Sequence, residues 1–324
     1  MADLSIIIVS YKGWERLLKC LEALASFTGK NFTMEVIVVD NKSDDGTILE
    51  IEHRFARFIF IHNKINGGFA NGCNLGGSSA SGNFLLFLNP DTVATESEIE
   101  KLIDAAKKNP SFTILSCRQA NERGKECIVS GAFPQIFNLT GLLRAIFKKR
   151  KPLYINEGSN KAEDIIIPDW ISGSVVLMRK ETFQKLHGFD EDFWMYYEDV
   201  DICLRAKIIG GEVGLCRNIT IEHNHGGSSR INLRTASLTK AEVIISRHVY
   251  ISKHKTGAER ILIQTFLVVN NLITGGIMAV LGMLLFFVPK VFSRTLIFLR
   301  VLKYYIISAF RLSWISKRSV NYRN

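Results

Sequence analysis

Four polar clusters, each directly after an apolar run, hold the residue types that bind nucleotides and metals. Ser10-Tyr11 follows Leu4 to Val9, and Asp40-Asn41-Lys42-Ser43-Asp44-Asp45-Gly46 follows Met34 to Val39. Asn66-Gly67-Gly68-Phe69-Ala70-Asn71-Gly72-Cys73-Asn74-Leu75-Gly76 comes after Phe58 to Ile61, and Asn89-Pro90-Asp91 after Phe84 to Leu88. A carboxylate such as Asp40 can accept hydrogen bonds from a base or ribose. Asp91, set on a short turn by Pro90, suits a hard divalent cation with oxygen ligands. Each cluster alone is also ordinary turn chemistry, since Asn, Asp and Gly favour turns, and Asp91 could simply form an Asx-turn before Thr92. Four at successive run ends are harder to assign to turns alone. Two standard nucleotide motifs are excluded. Gly67 to Gly72 has the gap of a phosphate loop, but Cys73-Asn74 stands where Lys-Ser/Thr is required, and no Gly-x-Gly-x-x-Gly follows the first run.

Two further clusters lie downstream. Between Gly188 and Asp201, six carboxylates are interleaved with aromatic residues, and Glu198-Asp199 opens a helical pattern continuing through Ile202, Ala206 and Ile209. An acid at a helix start, walled by rings, suits general-base work, whereas acids in a first turn also favour the helix dipole without any catalytic role. His223 and His225, two apart on an extended segment, point to one side and could face one cavity beside Gly226-Gly227-Ser228-Ser229.

The elements that position these residues follow from periodicity. Short Ile- and Val-rich runs read as buried strands, and apolar residues from Trp14 to Ala25 recur at helical spacing. Glu96 to Lys108 has an acidic first turn and a basic last turn, as a helix prefers. Strand and helix alternating in this way imply an α/β fold with a parallel sheet covered on both faces, whose ligands bind beyond the carboxyl ends of the strands. From 111 to 165 the pattern loosens, and Lys148 to Lys151 before Pro152 reads as a surface loop. Order returns with Ile165 to Met178 and a helix near Glu181 to Leu186, and Val213 to Cys216 and Ile219 to Ile221 read as two short strands.

The 324 residues carry a formal net charge of +10, distributed unevenly. Residues 230–324 hold 15 Lys and Arg against Glu242 and Glu259 alone, a net of 15 − 2 = +13. Basic residues that flank an apolar tail, with no stripe across the body, argue against a nucleic-acid partner. Six cysteines without a Cys-x-x-Cys pair give no zinc or dithiol spacing, and read as small buried hydrophobes in a reducing compartment. The start lacks signal-peptide features, so the body is expected in the cytosol. Ile261 to Pro289 runs without a charge, longer than the roughly 20 residues that span a bilayer. Both flanks are basic, which disfavours a simple crossing. An interfacial or re-entrant helical hairpin, with a break at Gly275-Gly276 and Arg300, Lys303, Tyr304, Tyr305 and Trp314 at the lipid surface, is expected instead.

The motifs Ser10-Tyr11, Val39-Asp40-Asn41-x-Ser43-x-Asp45-Gly46, Asn66-x-Gly68-Phe69-Ala70-x-Gly72-x-Asn74-x-Gly76 and Leu88-Asn89-Pro90-Asp91 resemble, in order, the donor-site motifs of family 2 glycosyltransferases. Trp170-x-Ser172-Gly173 and the run from Gly188 to Arg205 resemble the acceptor side of its rhamnosyltransferase-like branch. The resemblance implies a GT-A fold with a mixed, mainly parallel central sheet over residues 1–230, divided into a donor-binding half (1–110) and an acceptor-binding half (111–230). A basic, hydrophobic, membrane-associated helical tail (231–324) follows. By the same resemblance, Ser10, Tyr11, Asp40, Asn41, Asn66, Gly68, Asn74 and Asn89 bind the donor, and Trp170 and Gly173 line the acceptor site. Asp91 and His223 join Mg²⁺ or Mn²⁺ or the diphosphate, and Asp199, paired with Glu198, is the catalytic base. Asn89 replaces the first acid of the family's Asp-x-Asp motif, which removes one anionic ligand. The implied reaction moves a sugar, rhamnose first among candidates, with inversion from a nucleotide-diphosphate donor to a lipid-linked or surface-polysaccharide acceptor at the cytoplasmic face of a membrane. A glycoside hydrolase would share the carboxylates but lack a nucleotide site; a non-catalytic sugar-binding membrane protein would bind without turnover.

Overall fold

A computed structural model of the chain describes residues 2–139, 164–224 and 232–322. The basic run at Lys148 to Lys151, His225 and the Gly226 to Ser229 segment lie outside the described residues. The chain divides into two compact units. The first comprises the described residues of Met1–Pro134, Lys148–Asp190 and Glu198–Gly227; the second, those of Gln135–Phe147, Glu191–Tyr197 and Ser228–Asn324.

The first unit is built on a nine-stranded sheet. Its strands are β1 (Leu4–Ser10), β2 (Met34–Asp40), β3 (Ile59–His62), β4 (Phe84–Leu88), β5 (Thr92–Val93), β6 (Phe112–Ala120), β8 (Ile165–Ile166), β10 (Val175–Arg179) and β11 (Glu212–His223), while β7 (Ser130–Gly131) and β9 (Trp170–Ile171) form a separate ribbon. The order is β3-β2-β1-β4-β10-β6-β11-β5, with β8 added on β11. Strands β3, β2, β1, β4, β6 and β11 run parallel, and β10 runs against its neighbours β4 and β6. This is the mixed, mainly parallel sheet expected of a GT-A fold.

Alternation along the strands explains the two-sided core. Leu4, Ile6 and Ile8 pack with Leu17, Leu21 and Leu24 of helix α1 (Trp14–Ala25), Ile48 and Ile51 of α2 (Thr47–Arg54), and Ile99, Leu102 and Ile103 of α4 (Glu96–Lys108). Ile7 and Val9 face the opposite layer, where α3 (Gly68–Ser79), α5 (Lys180–Lys185) and α6 (Glu198–Ile208) supply Ala70, Cys73, Phe183, Ile202 and Ala206. Helix α4 starts at a full capping box, in which the Thr95 side chain accepts from Glu98 N and Thr95 N donates to Glu98. The described cysteines are all free, and all but Cys127 are buried.

Several elements differ from the sequence expectation. Helix α2 and strands β5, β6 and β7 fill stretches with no assigned element, and β11 is one strand where two were expected. The irregularity between Cys216 and Thr220 that suggested two strands is a bulge in the pairing with β6.

The second unit holds α7 (Leu233–His254), α8 (Gly257–Leu284) and α9 (Pro289–Arg311). Helix α8 passes through Gly275-Gly276 without a break. The hairpin turns instead at Leu285–Val288, where Pro289 opens α9. The paired glycines serve packing, since a Cβ on Gly275 would lie 3.0 Å from the Phe298 ring. Tyr304 and Tyr305, expected at a lipid surface, are buried: His248 Nε2 meets Tyr305 Oη at 2.9 Å and its ring stacks on Trp314 at 4.9 Å. Burial lowers His248 to about 4. The apolar side chains that α8 leaves exposed include Ile261, Leu262, Ile273, Ile277, Val280 and Leu284, continuing into Phe286 and Phe287. It is one helix long and apolar enough to cross a membrane.

Helix α3 lies close on β1 because its inner face is nearly bare. A Cβ on Gly76 would come within 2.4 Å of Ile7 Cγ2 and 3.2 Å of Val39 Cγ2, both on stiff β-branched side chains in the core. Gly76→Ala, which helix propensity alone would make stabilising, is expected to lower unfolding free energy by about 1–3 kcal/mol in urea titration. An unchanged or raised midpoint would contradict this packing.

Candidate active site

The carboxyl edge of the parallel strands gathers the polar clusters. Ser10 and Asp40 are register partners at the ends of β1 and β2. Asp40 Oδ1 accepts from Ser43 Oγ at 2.5 Å, and Ser43 Oγ in turn accepts from Lys12 N at 3.0 Å, so the turns after β1 and β2 are tied together. Lys12, Lys42 and Asp44 all have positive φ in these two turns, a backbone state that costs energy for non-glycine residues. Tyr11 is half-buried beside Lys12, whose ammonium lies 5.6 Å from its ring centre.

An asparagine network joins the turns after β2 and β3 to the start of α3. Asn41 Nδ2 donates to Gly68 O at 2.8 Å, and Asn63 Nδ2 donates to Asn41 Oδ1 (2.9 Å) and Asn71 Oδ1 (2.8 Å). Asn66 Oδ1 accepts from Gly68 N at 3.3 Å. Asn74 reaches the other way: its amide donates to Phe189 O and accepts from Phe189 N, both at 2.8 Å. Asn41, Asn66, Gly68 and Asn74 therefore shape the site, and Asn74 clasps the segment that leads towards Glu198.

Asp91 and His223 meet because of a two-residue strand. Thr92 and Val93 pair with His223 and Glu222, which sets Asp91 Oδ1 3.1 Å from His223 Nε2. Asn89 supports the turn with its backbone, where its carbonyl accepts from Thr92 N and Oγ1. Burial alone would raise the Asp91 carboxyl. The hydrogen bond and charge of His223, with Arg16 Nη1 3.6 Å from Oδ2, hold it below the usual value.

Gln119 is the hub that residue spacing did not reveal. Its Oε1 lies 2.7 Å from His223 Nδ1 and accepts from Ser174 Oγ at 2.8 Å. In this amide orientation His223 Nδ1 carries a hydrogen. Nε2 then either carries a second proton, paired with Asp91, or offers a lone pair to a cation. That arrangement, with the outer nitrogen fixed by a carbonyl, is usual for a metal-binding histidine. Among the described residues no group of three His, Cys, Asp or Glu side chains is placed to hold a metal. One carboxylate and one imidazole fit an ion that completes its shell from phosphate oxygens and water, as Mg²⁺ often does.

From Ser174 the connection continues to the acids. The next residue back, Gly173, donates its N–H to Asp199 Oδ2 at 3.0 Å, and Asp199 Oδ1 accepts from Val200 N at 2.8 Å. Asp199, Ser174, Gln119, His223 and Asp91 thus form one run across β10, β6 and β11. Asp40 stands two strands from β4 along the same edge, about 10 Å at normal strand spacing. Glu198 is buried, and its Oε2 has no hydrogen-bond partner among the described residues. Burial, with the adjacent Asp199 charge, raises Glu198 well above its ordinary value; burial raises Asp199 too, against the N–H groups of Gly173 and Val200. The acid lacking partners is the one that keeps its proton. Asp201 is structural: fully buried, it pairs with Arg205 at 2.7 Å, and Arg205 Nη2 also donates to Gly188 O. Trp170 is pinned by Nε1 donating to Ala132 O at 2.9 Å, its ring lying where a Cβ on Gly131 would stand.

A profile of the family described as "Glycosyl transferase family 2" matches residues 5–202. The chain belongs to this family. It is 26% identical over 228 residues to the low-salt glycan biosynthesis hexosyltransferase Agl10 of Haloferax volcanii, covering 68% of this chain and 67% of that one. Similarity to the rhamnosyltransferase WbbL of Escherichia coli is 27%, over 63% of this chain and 77% of the relative. The N-acetylglucosaminyl-diphospho-decaprenol L-rhamnosyltransferase of Mycobacterium tuberculosis is also 27% identical, over 61% of this chain and 68% of its own length. These relatives agree with the rhamnosyltransferase-like branch seen in the motifs, and the family makes the chain a glycosyltransferase. The solved structure of GalNAc-T7 with UDP, GalNAc and Mn²⁺ shares the fold at a TM-score of 0.53 and 16% identity; the match covers 78% of this chain and half of that one.

Gln119→Leu removes the acceptor shared by buried Ser174 and His223, and is expected to cost about 1–3 kcal/mol of stability in chemical denaturation. A loss within measurement error would show that Gln119 does not hold these strands' side chains together.

Proposed function

We propose that this glycosyltransferase carries a sugar, rhamnose from a dTDP donor as first candidate, with inversion to a hydroxyl of a lipid-linked or surface-polysaccharide acceptor. The observation that carries the reading is the run from Asp199 through the Gly173–Ser174 peptide and Gln119 to the Asp91–His223 pair, hydrogen-bonded at every step but that covalent one, on the sheet edge that also holds Asp40. Asp40 and the turn of Ser10 and Tyr11 receive the base and ribose, with Asn41, Asn66, Gly68 and Asn74 holding the loops around them and Asn89 supporting the Asp91 turn. Trp170 and Gly173 border the acceptor. A rhamnosyltransferase named for a diphospho-decaprenol among the relatives supports a lipid-linked acceptor.

The chemistry follows from the two acids. Asp199, ionised and aligned by Gly173 N–H, takes the proton of the acceptor hydroxyl. The acceptor oxygen bonds to the anomeric carbon as the bond to the diphosphate oxygen breaks, and the nucleoside diphosphate leaves with that electron pair. A single displacement of this kind inverts the anomeric centre and requires no enzyme nucleophile. Glu198, keeping its proton, adds no second negative charge beside the base. Arg16 and His223 stand where charge grows on the leaving group. A divalent ion held by Asp91 and His223 would supply further positive charge there. The exposed apolar face of α8 and the Leu285–Val288 turn, with basic residues on both flanks, support contact with the cytoplasmic face of a membrane.

Asp199→Asn keeps an acceptor for Gly173 N–H but cannot take a proton. Turnover is expected to fall by about 10²–10⁴-fold with donor affinity nearly unchanged. Glu198→Gln, which imitates the protonated acid, should lose far less. Because Asp199 is raised above the 3.8 of a free aspartate and must be ionised to act, the rate should fall with decreasing pH through a value above 3.8. Transfer at the wild-type rate by Asp199→Asn would remove Asp199 from this role.

A further inference from the structure

The helical unit contains a polar cavity that the proposed reaction does not use. It measures about 160 Å³ and opens between α7, α9 and the segment that follows α9. Five cations line it, Arg300, Lys303, Arg311, Lys317 and Arg318, against one carboxylate, Glu242. Glu242 is buried and already engaged: Ser316 Oγ donates to Oε2 at 3.0 Å, and Arg318 Nε lies 3.4 Å from Oε1. Arg311 lies over the Tyr322 ring at 4.5 Å, which fixes one side of the mouth.

The remaining positive charge is not balanced. Among the described residues, Arg300, Lys303 and Lys317 have no carboxylate within ion-pair distance. Burial lowers Lys317, and the charges of Lys303, Arg318 and Arg300 lower it further; burial lowers Arg300, with Arg318 and Arg234 adding to the effect; the Glu242 charge opposes both shifts without reversing them. Like charges held this close, with Glu242 as the one carboxylate in the lining, form an anion site in waiting, because a bound anion relieves their mutual repulsion. Arginine forks and lysine ammonium groups together suit phosphate oxygens.

The surroundings identify the kind of phosphate. Arg311 sits between Phe310 and Leu312, both almost fully exposed at 86% and 91%. Ser313 and Ile315 line the cavity, while the alternate residues Leu312 and Trp314 line a mixed groove, where Ile261, Val268 and Val269 stand beside Ser252, Arg260, Gln264 and Thr265. One short segment therefore carries a cationic cavity together with large exposed apolar side chains, Phe310 and Leu312. A soluble anion would need the first alone; a lipid with a phosphate head would match both.

We propose that this cavity binds the phosphate or diphosphate head of a membrane lipid, with its hydrocarbon beside the exposed apolar side chains of the same unit. The proposal rests on the membrane placement in the proposed function, and adds a specific headgroup site to it. A terminal phosphate or diphosphate carries more charge than the phosphodiester of an ordinary anionic lipid, so a cavity with five cations and one carboxylate favours it over a mere negative surface.

The test is vesicle flotation of the full chain. Three vesicle types are compared: phosphatidylcholine alone, phosphatidylcholine with phosphatidylglycerol, and phosphatidylcholine with an equal charge of polyprenyl diphosphate. Wild type is expected to bind the neutral vesicles through its apolar face, and the polyprenyl diphosphate vesicles about tenfold more tightly than the phosphatidylglycerol ones. The pair Arg300→Gln and Lys317→Gln should remove that increment and leave neutral binding unchanged. Lys317→Arg, which keeps the charge, should retain it. The circular dichroism spectrum of each variant checks that the helices persist. An increment that survives in the double variant, or is missing in wild type, would overturn the site. Inorganic pyrophosphate is titrated in parallel; if it binds the wild type in detergent while the polyprenyl diphosphate vesicles give no increment, the cavity serves a soluble anion and the lipid assignment is wrong. Absence of binding to any vesicle would instead refute the membrane placement. None of these readouts requires sugar transfer, so failure of the proposed reaction leaves them interpretable.

Discussion

The pairing of Thr92 with His223 and Val93 with Glu222 is the constraint on which the candidate site depends. It is a ladder of two residues on each strand, yet it joins the end of β4 to the last turn of β11, more than a hundred residues later in the chain. Without it Asp91 would be a carboxylate on a turn and His223 an imidazole at a strand end. With it, they face each other at 3.1 Å over the sheet edge where the other polar turns open. The bulge between Cys216 and Thr220 belongs to the same constraint: β11 stays paired with β6 on both sides of it, while on its other edge the partner changes from β8 to β5, and added residues bend a strand and increase its twist there.

Electrostatics then divides the labour between neighbouring acids. Glu198 and Asp199 are adjacent in sequence and close in character, but their surroundings differ. Asp199 accepts two backbone N–H groups, and Glu198 leaves an oxygen without any partner in a buried position. Charge goes where hydrogen bonds can hold it, so the pair separates into a neutral member and an ionised one. Asp91 is held below the usual carboxylate value by a third route, the His223 ring on one oxygen and the Arg16 guanidinium near the other. Asp201, the remaining acid in this helix turn, is neutralised by Arg205, which also fastens the backbone at Leu186 and Gly188.

Much of the polar sheet edge was legible in the sequence because each strand is a short apolar run that stops at a polar residue, and the stop itself marks the edge. Ser10, Asp40 and Asp91 were visible in this way. Gln119 was not. It lies within β6, where Ser116, Arg118 and Gln119 interrupt the apolar pattern and hide the strand, and its role comes from partners 55 and 104 residues distant. Arg16 was hidden as well, as a charge on a helix whose apolar face was the visible signal. In the tail, composition revealed a hairpin but misplaced its turn. Gly275-Gly276 looked like a break, whereas the helix uses the missing side chains to admit Phe298, and the chain reverses where Pro289 can start a new helix. Tyr304, Tyr305 and Trp314 have the composition of an interfacial belt but enclose His248 instead, a packing that only the three-dimensional arrangement reveals.

The account turns on the Asp91–His223 pair receiving the diphosphate of a nucleotide. Calorimetric titration of nucleoside diphosphates, with and without Mn²⁺, into the wild-type chain and into His223→Ala tests this most directly. The wild type is expected to bind, and the variant to lose about tenfold or more in affinity. Equal affinity in the two proteins would contradict it.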